Sequence, residues 1–223
     1  MNASNQLTPE TTGTIYGDRL PELFAVAELM MGHVEDIRRK LEAEYGMDPV
    51  EHCLYRIKQD SSMREKCRRK GLPETTESAL SDVIHDAIGL RVVCPFVNDV
   101  YRIAEELAAL PDCEMVSQKD YIRHCKPSGY RSLHVIFKVT YRPDGATASV
   151  DGAAASPPQV YYTEFQLRTI SMDTWASLEH HLRYKKQIKN EALIGAELKR
   201  CADELESTDL SMQTIRDLIL EDM

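Results

Sequence analysis

No run of about 18 apolar residues occurs anywhere in the sequence, so no segment is suited to cross a bilayer as a helix. The opening stretch MNASNQLTPETTGT has neither the basic nor the apolar region of a secretory signal. No C-x-x-C pair is present: Cys53, Cys67, Cys94, Cys113, Cys125 and Cys201 are scattered. That spacing excludes a clustered metal framework, and without a secretion signal free thiols in a reducing cytoplasm are expected. Walker A, G-x-S-x-G and dinucleotide-binding glycine patterns are missing, and no internal repeat is visible. What remains is a chain of 223 residues, 43% apolar, with 27 Lys and Arg against 36 Asp and Glu, a net charge of −9. Such a length supports one domain, with helical extensions, and a full hydrophobic core. The acidic balance argues against broad binding to nucleic acid or anionic membrane, and leaves a local anion site open.

Periodicity organises the rest. Residues 1–18 read as a flexible tail. Leu20, Leu23, Phe24, Ala27, Met30, Met31, Val34, Ile37 and Leu41 recur at helical spacing, with Gly46 and Asp48-Pro49 as stops. A short strand at 54–58 precedes a helix capped by Ser61 or Ser62 and closed by Gly71, and LPETTES follows as a polar linker. IGLRVVCPF reads as a buried strand, 98–110 as a helix, and EMVSQKDYI, RSLHVIFKVTY and VYYTEFQLRT as further strands. The low-complexity stretch at 142–160 makes the last two strands a hairpin, and 171–186 and 190–220 are helical. Ile194, Leu198, Cys201 and Leu205 form one stripe of the final helix. The expected fold is α/β (α+β): a mixed, mostly antiparallel sheet of about five strands flanked by helices.

Chemistry-bearing residues concentrate in three places. Arg56 to Lys70 holds seven basic and two acidic residues, a local +5 inside an acidic protein. It reads either as a solvated helix face or as a polyphosphate cradle, in which Arg forks and Lys point charges meet phosphate oxygens. Strand parity puts Tyr130, Ser132, His134 and Lys138 on one face of one strand, and Tyr162, Glu164, Gln166 and Arg168 on one face of its partner. That face is either solvent-facing or the floor of a site. Asp86, at the entry to the strand containing Arg91, is either a turn residue or, with Glu164, a Mg²⁺ ligand. His85-Asp86 spells the dipeptide of metal-dependent phosphohydrolases without their further ligands, and Glu179-His180-His181 lacks zinc-protease spacing. His124-Cys125 has no partner pair and reads as loop.

Together YRIKQDSSMREKCRRKG, HDAIGLRVVCPFVNDVY, KDYIRHCKPSGYRSLH and EFQLRTISMDTWASLEHHLRYK resemble the synthetase domain of the RelA/SpoT alarmone enzymes, most of all the small alarmone synthetases. The segments occur in family order over residues 48–186, within a synthetase domain drawn at 19–186 and followed by a helical extension at 187–223. The resemblance implies a nucleotidyltransferase-like fold and transfer of pyrophosphate from ATP to the 3′-hydroxyl of GDP or GTP, giving ppGpp or pppGpp and AMP. It implies that Arg56 and Arg91 sandwich the adenine and that Lys58, Lys66 and Arg69 hold the ATP phosphates. Asp86 and Glu164 would bind Mg²⁺, with Glu164 also accepting the proton of the attacking hydroxyl. Tyr130 would stack on the acceptor guanine, Lys126 and His134 would face its phosphates, Gln166 would position it, and Asp173 would lie near the guanine edge.

The Asp86–Arg91 spacing of five places the two on opposite faces of a regular strand, so either Asp86 precedes the strand or Gly89 marks a bulge. The chain has no room for the hydrolase domain of the long bifunctional enzymes, so synthesis without degradation is expected. His52 and Leu54 stand where one branch of the family carries residues that bind an activating alarmone, so that activation is not expected. The apolar stripes at 20–41 and 194–220, with the family's tetramers, point to a homo-oligomer. Two other functions compete with nucleotide pyrophosphorylation: modification of the tRNA 3′ end, which needs a second basic surface, and a catalytically silent RNA- or nucleotide-binding regulator, which has no need of the carboxylates.

Overall fold

The computed structural model describes residues 13–143, 157–183 and 190–222. Most of the expected tail (residues 1–12), most of the loop expected at 142–160 and the boundary at 186/187 lie outside the described residues. The rest of that tail is packed rather than loose. Ile15 and Tyr16 are buried, the Ile15 amide donates to Asp60, and the Tyr16 hydroxyl donates to the Lys58 carbonyl at 2.7 Å.

Helix α1 (Leu20–Tyr45) follows, with Pro21 in its first turn, where the missing amide costs nothing. It stops at the expected Gly46, whose φ of 69° few other residues adopt readily. Its stripe Leu23, Val26, Ala27, Met30, Val34, Ile37 and Leu41 is buried, so the core consumes the face expected to serve oligomerisation. Strand β1 (His52–Ile57) leads into α2 (Asp60–Arg69). No side chain caps α2: Asp60 begins the helix and Ser61 and Ser62 sit inside its first turn. The linker LPETTES holds a short helix, α3 (Thr76–Ala79), capped by Thr75.

Strand β2 (Ile88–Cys94), α4 (Val97–Ala108), β3 (Cys113–Asp120), β4 (Leu133–Tyr141), β5 (Gln159–Thr169), α5 (Ile170–Arg183) and α6 (Glu191–Glu221) complete the order. The sheet order is β1-β2-β5-β4-β3, antiparallel except for the parallel pair β2/β5. Alternation along β4 buries Leu133, Val135, Phe137 and Val139 on the face that α4 covers and leaves His134, Ile136 and Lys138 on the other face. Phe137 and Phe165 meet edge to face, 5.4 Å apart, which adds about 0.5–1.5 kcal/mol to the burial of both rings. Helices α5 and α6 pack against each other, α5 also against β5 and α6 also against α4.

The final helix departs from its expected stripe halfway along. Up to Leu205 the inward positions are the expected Ile194, Leu198, Cys201 and Leu205, with Ala202 the most buried. Beyond them the buried residues are polar: Asp209, Gln213 and Arg216. Leu210, Met212, Ile215, Leu218 and Ile219 face solvent instead.

Candidate active site

The open face of the sheet collects the singled-out residues because the register aligns them in rows. Arg56 pairs with Gly89, Gly89 with Glu164, and Glu164 with Ile136. One row on, Leu54 pairs with Arg91, Arg91 with Gln166, and Gln166 with His134. Gly89 takes regular pairings on both sides, so it marks no bulge. Asp86 instead lies two residues before β2, which resolves the parity conflict with Arg91. With no side chain at Gly89, Arg56 lies across it: a Cβ there would touch its Cγ and Nε at 3.7 Å. A cavity of about 200 Å³ opens at this point, lined by Leu54, Arg56, Gly89, Arg91, Glu164 and Gln166 among others.

Beside the cavity, Asp86 Oδ2 accepts from Lys66 Nζ at 2.7 Å and from Lys58 Nζ at 3.1 Å. Lys58 is held on both sides of its backbone, its amide donating to Ala87 O at 2.9 Å and its carbonyl accepting from Tyr16. Burial works to raise the Asp86 pKa, but the Lys66 hydrogen bond and the two ammonium charges outweigh it and hold the carboxyl below its ordinary value. The other oxygen, Oδ1, is buried without a hydrogen-bond partner. Across the face, burial likewise opposes ionisation of Glu164, and His134 and Gln166 outweigh it, so this pKa is also lowered. His134 Nδ1 stands 3.8 Å from Glu164 Oε1, an electrostatic contact rather than a full hydrogen bond, while Gln166 Nε2 donates to Oε2 at 3.3 Å. Asp86 and Glu164 are close enough that the charge of the first raises the pKa of the second.

On the far side of Glu164 an aromatic group takes over. Arg168 donates to the Tyr130 hydroxyl at 2.6 Å, and that hydroxyl pairs with His134 Nε2 at 2.8 Å. Lys126 Nζ lies 4.5 Å from the Tyr121 ring centroid and 4.8 Å from that of Tyr130, a cation held between two π faces. Asp173 Oδ1 bridges Arg91 at 3.2 Å and Arg168 at 3.1 Å, offsetting two adjacent guanidiniums. Burial and the charge of Arg168 lower the Arg91 pKa, and the guanidinium remains a cation at any working pH.

The structure thus gathers Arg56, Lys58, Lys66, Asp86 and Arg91 on one side of Glu164, and Lys126, Tyr130, His134 and Asp173 on the other, with Gln166 between. Arg69 is exposed on α2, one turn past Lys66, and is not drawn into the Asp86 cluster. The basic segment divides. Arg64 and Arg68 pair with Asp60 and Glu74 and brace α2, while Lys58 and Lys66 face Asp86. Sequence reasoning passed over Arg168, which binds Tyr130, Gln166 and Asp173 and is only 4% exposed, although parity had placed it on this face. It also passed over Tyr121, whose only signal was its place inside KDYIRHCKPSGYRSLH.

Asp86 and Glu164 fit a divalent cation. Both are ionised at neutral pH, they lie close enough for their charges to interact, and one buried oxygen of Asp86 has no partner among the described residues. All six cysteines are free, and burial pushes the thiols of Cys53 and Cys113 up to about 12.

Known proteins resemble this chain in sequence and fold. GTP pyrophosphokinase YwaC of Bacillus subtilis is 39% identical over 166 residues, 72% of this chain and 73% of the relative. GTP pyrophosphokinase YjbM of the same organism is 32% identical over 202 residues, 91% of this chain and 88% of the relative. The small alarmone synthetase 1 of Bacillus subtilis, solved bound to its product pppGpp, superposes with a TM-score of 0.72 at 30% identity, covering 90% of this chain and 95% of that one. Residues 55–189 match the model of the region found in RelA / SpoT proteins. That match takes in the end of β1, all of α2 and every residue of the two clusters, so the chain belongs to the RelA/SpoT family.

Proposed function

We propose that the protein is a GTP/GDP pyrophosphokinase, transferring the β,γ-pyrophosphate of ATP to the 3′-hydroxyl of GDP or GTP to make ppGpp or pppGpp and AMP. The observation that carries this reading is the division of one sheet face at Glu164 into a lysine–carboxylate cluster beside an arginine-lined cavity and an aromatic–cationic cluster. Two nucleotides laid on the two sides would meet at a single carboxylate.

On the donor side, Arg56 and Arg91 border the cavity with planar guanidiniums suited to a base, and Lys58 and Lys66 supply charge for the phosphates. Arg69 stands outside this cluster, exposed on α2. On the acceptor side the Tyr130 ring offers a stacking surface for guanine, and Lys126 and His134 lie close enough to serve its phosphates. Gln166 spans the two sides through Glu164 and Arg168. Asp86 and Glu164 are the residues to hold Mg²⁺, which supplies charge neutralisation on the phosphate oxygens when bound. Glu164, kept ionised, accepts the 3′-hydroxyl proton as that oxygen bonds to the β-phosphorus and the bond to the departing AMP breaks. With a loose transition state, alignment of the two nucleotides supplies much of the rate.

Incubation with Mg²⁺, γ-labelled ATP and GDP, GTP or deacylated tRNA tests the reading. Label in the guanosine nucleotides is expected. Label in tRNA alone sinks the proposal in favour of the tRNA reaction, and label nowhere leaves a silent regulator. Omitting Mg²⁺ should abolish transfer. No described helix is long and apolar enough to cross a membrane, and use of ATP and guanosine nucleotides as substrates supports a cytoplasmic enzyme. The solvent-facing Leu210, Met212, Ile215, Leu218 and Ile219 support the end of α6 as the surface for homo-oligomerisation, with a tetramer expected from the family resemblance. Sedimentation equilibrium of Leu218→Glu, giving a smaller species than the unmodified chain, checks that assignment.

A further inference from the structure

We propose that α6 is a positioning element for the acceptor half of the site: through Arg131 it holds the turn that carries Lys126 and Tyr130, and so sets affinity for the acceptor without setting affinity for ATP. The inference rests on the acceptor role given above to Tyr130.

The turn is closed on itself. Gly129 N donates to Lys126 O at 2.8 Å and Lys126 N to Tyr130 O at 3.2 Å, so the two acceptor residues are the ends of one loop. Its apex leans on α6. Gly129 has φ of 92°, and a Cβ there would fall 2.6 Å from Ala202 Cβ and 3.3 Å from Lys199 Cα. No side chain fits between the turn and the helix. Next along the chain, Arg131 is 7% exposed and donates to Gly129 O at 3.3 Å, to Asp203 Oδ1 at 3.3 Å and to Glu206. A guanidinium so buried is tolerated because α6 brings two carboxylates to it. Lys199 holds Asp203 in turn, at 2.6 Å.

The helix is itself fixed from behind, as a strut must be. Asp209 accepts from the Thr169 hydroxyl, which accepts from Met172 N at 3.2 Å and so closes the first turn of α5, the turn bearing Asp173. Farther on, Asn98 N donates to Gln213 Oε1 at 3.1 Å, and Arg216 pairs with Asp99 at 2.7 Å in an interior where both side chains are at most 3% exposed. Buried polar residues at 209, 213 and 216 secure α6 to the β5–α5 junction and to α4, and the more exposed Asp203 and Glu206 grip the turn. These anchors fall on the acceptor side or on α4, apart from the contact of Asp173 with Arg91 on the donor side. The donor lysines are held by Asp86 and by Tyr16 instead.

The test is a split between Michaelis constants in the full-length chain. Asp203→Asn combined with Glu206→Gln leaves Arg131 buried without its counter-charges. Displacing reacting groups by about 1 Å can cost on the order of 100-fold, so this variant should raise the KM for GDP and GTP at least about tenfold while the KM for ATP stays within about twofold. Glu206→Asp, which keeps the charge, should recover most of the acceptor affinity. Arg38→Ala, which removes the remote Arg38–Asp48 pair, controls for lost stability and should move neither KM. If the double variant does not fold, Glu206→Gln alone is held to the same split, its side chain being 38% exposed. Acceptor and ATP constants rising together, or an unchanged acceptor constant, overturns the proposal. Calorimetric titration of GDP separates this claim from the reaction itself. GDP binding weakened by the variant supports positioning even without turnover, and no binding of GDP or GTP by the unmodified chain defeats both.

Discussion

On the donor side, Arg56, Lys58, Lys66, Asp86 and Arg91 all fall within two neighbouring antiparallel strands, their immediate flanks and the helix between them. On the acceptor side, Tyr121, Lys126, Tyr130, His134, Gln166, Arg168 and Asp173 come from a turn, two strands and a helix spread over more than fifty residues, and the turn is braced by Asp203 and Glu206 on α6. The donor half is electrostatic: two ammonium groups share one carboxylate oxygen. The acceptor half is a chain of hydrogen bonds and ring contacts from Arg168 through Tyr130 to His134. Charge acts over several ångströms and tolerates side-chain motion, whereas stacking and a hydrogen-bonded relay require fixed backbones. The acceptor half therefore needs the more distant support.

Substitutions should separate these halves, and the largest effect belongs to the residue they share. Glu164→Gln should lower kcat by on the order of 10²–10⁴-fold with either acceptor while the melting temperature changes little, since the side chain sits on an open face. Near-normal turnover in that variant would remove the residue from the seam. Tyr130→Ala should cost about 1–3 kcal/mol of base stacking, read as a higher KM for GDP and GTP with the KM for ATP unmoved. An equal rise in both constants would dissolve the division between halves. Arg56→Ala should do the reverse on a smaller scale, weakening ATP by about 0.5–2 kcal/mol through loss of a cation–π face and sparing the acceptor.

The smallest effect is one of pH. Asp86 and Glu164 both have lowered pKa values in the folded protein, so each adds stability that is full above its unfolded pKa and is lost as pH falls through the lower folded value. Urea titrations without nucleotide should show stability level from neutrality down to about pH 5 and falling below about pH 4. Lys66→Met should move that decline to higher pH by weakening the hold on Asp86, and His134→Ala should do the same through Glu164. A decline unmoved by Lys66→Met would show that the ammonium does not set the Asp86 ionisation.

Legibility followed the same division. The +5 concentration at 56–70 could be read directly because its residues are neighbours in the chain, although only contacts revealed that Arg64 and Arg68 serve the helix and Lys58 and Lys66 the site. Alternation revealed the face bearing His134, Glu164, Gln166 and Arg168, since a strand fixes side-chain direction locally, whereas Tyr130 precedes β4 and is carried by a turn. It could not reveal that Arg168 links Tyr130 to Asp173, because that depends on where α5 begins. The segment at 13–18 lacked apolar periodicity, yet two side chains, Ile15 and Tyr16, find a prepared place beside α2.

The sequence by itself determined the strands, the longer helices, the family motifs and the residue types of the site, because these follow from local periodicity and neighbouring chemistry. Only the tertiary structure decided that Asp86 stands ahead of its strand beside two lysines, and that the second half of α6 turns its polar side inward. A count of apolar residues assigns Asp209, Gln213 and Arg216 to solvent. They are buried because Thr169, Asn98 and Asp99, distant in the chain, supply the partners that make burying a polar group tolerable.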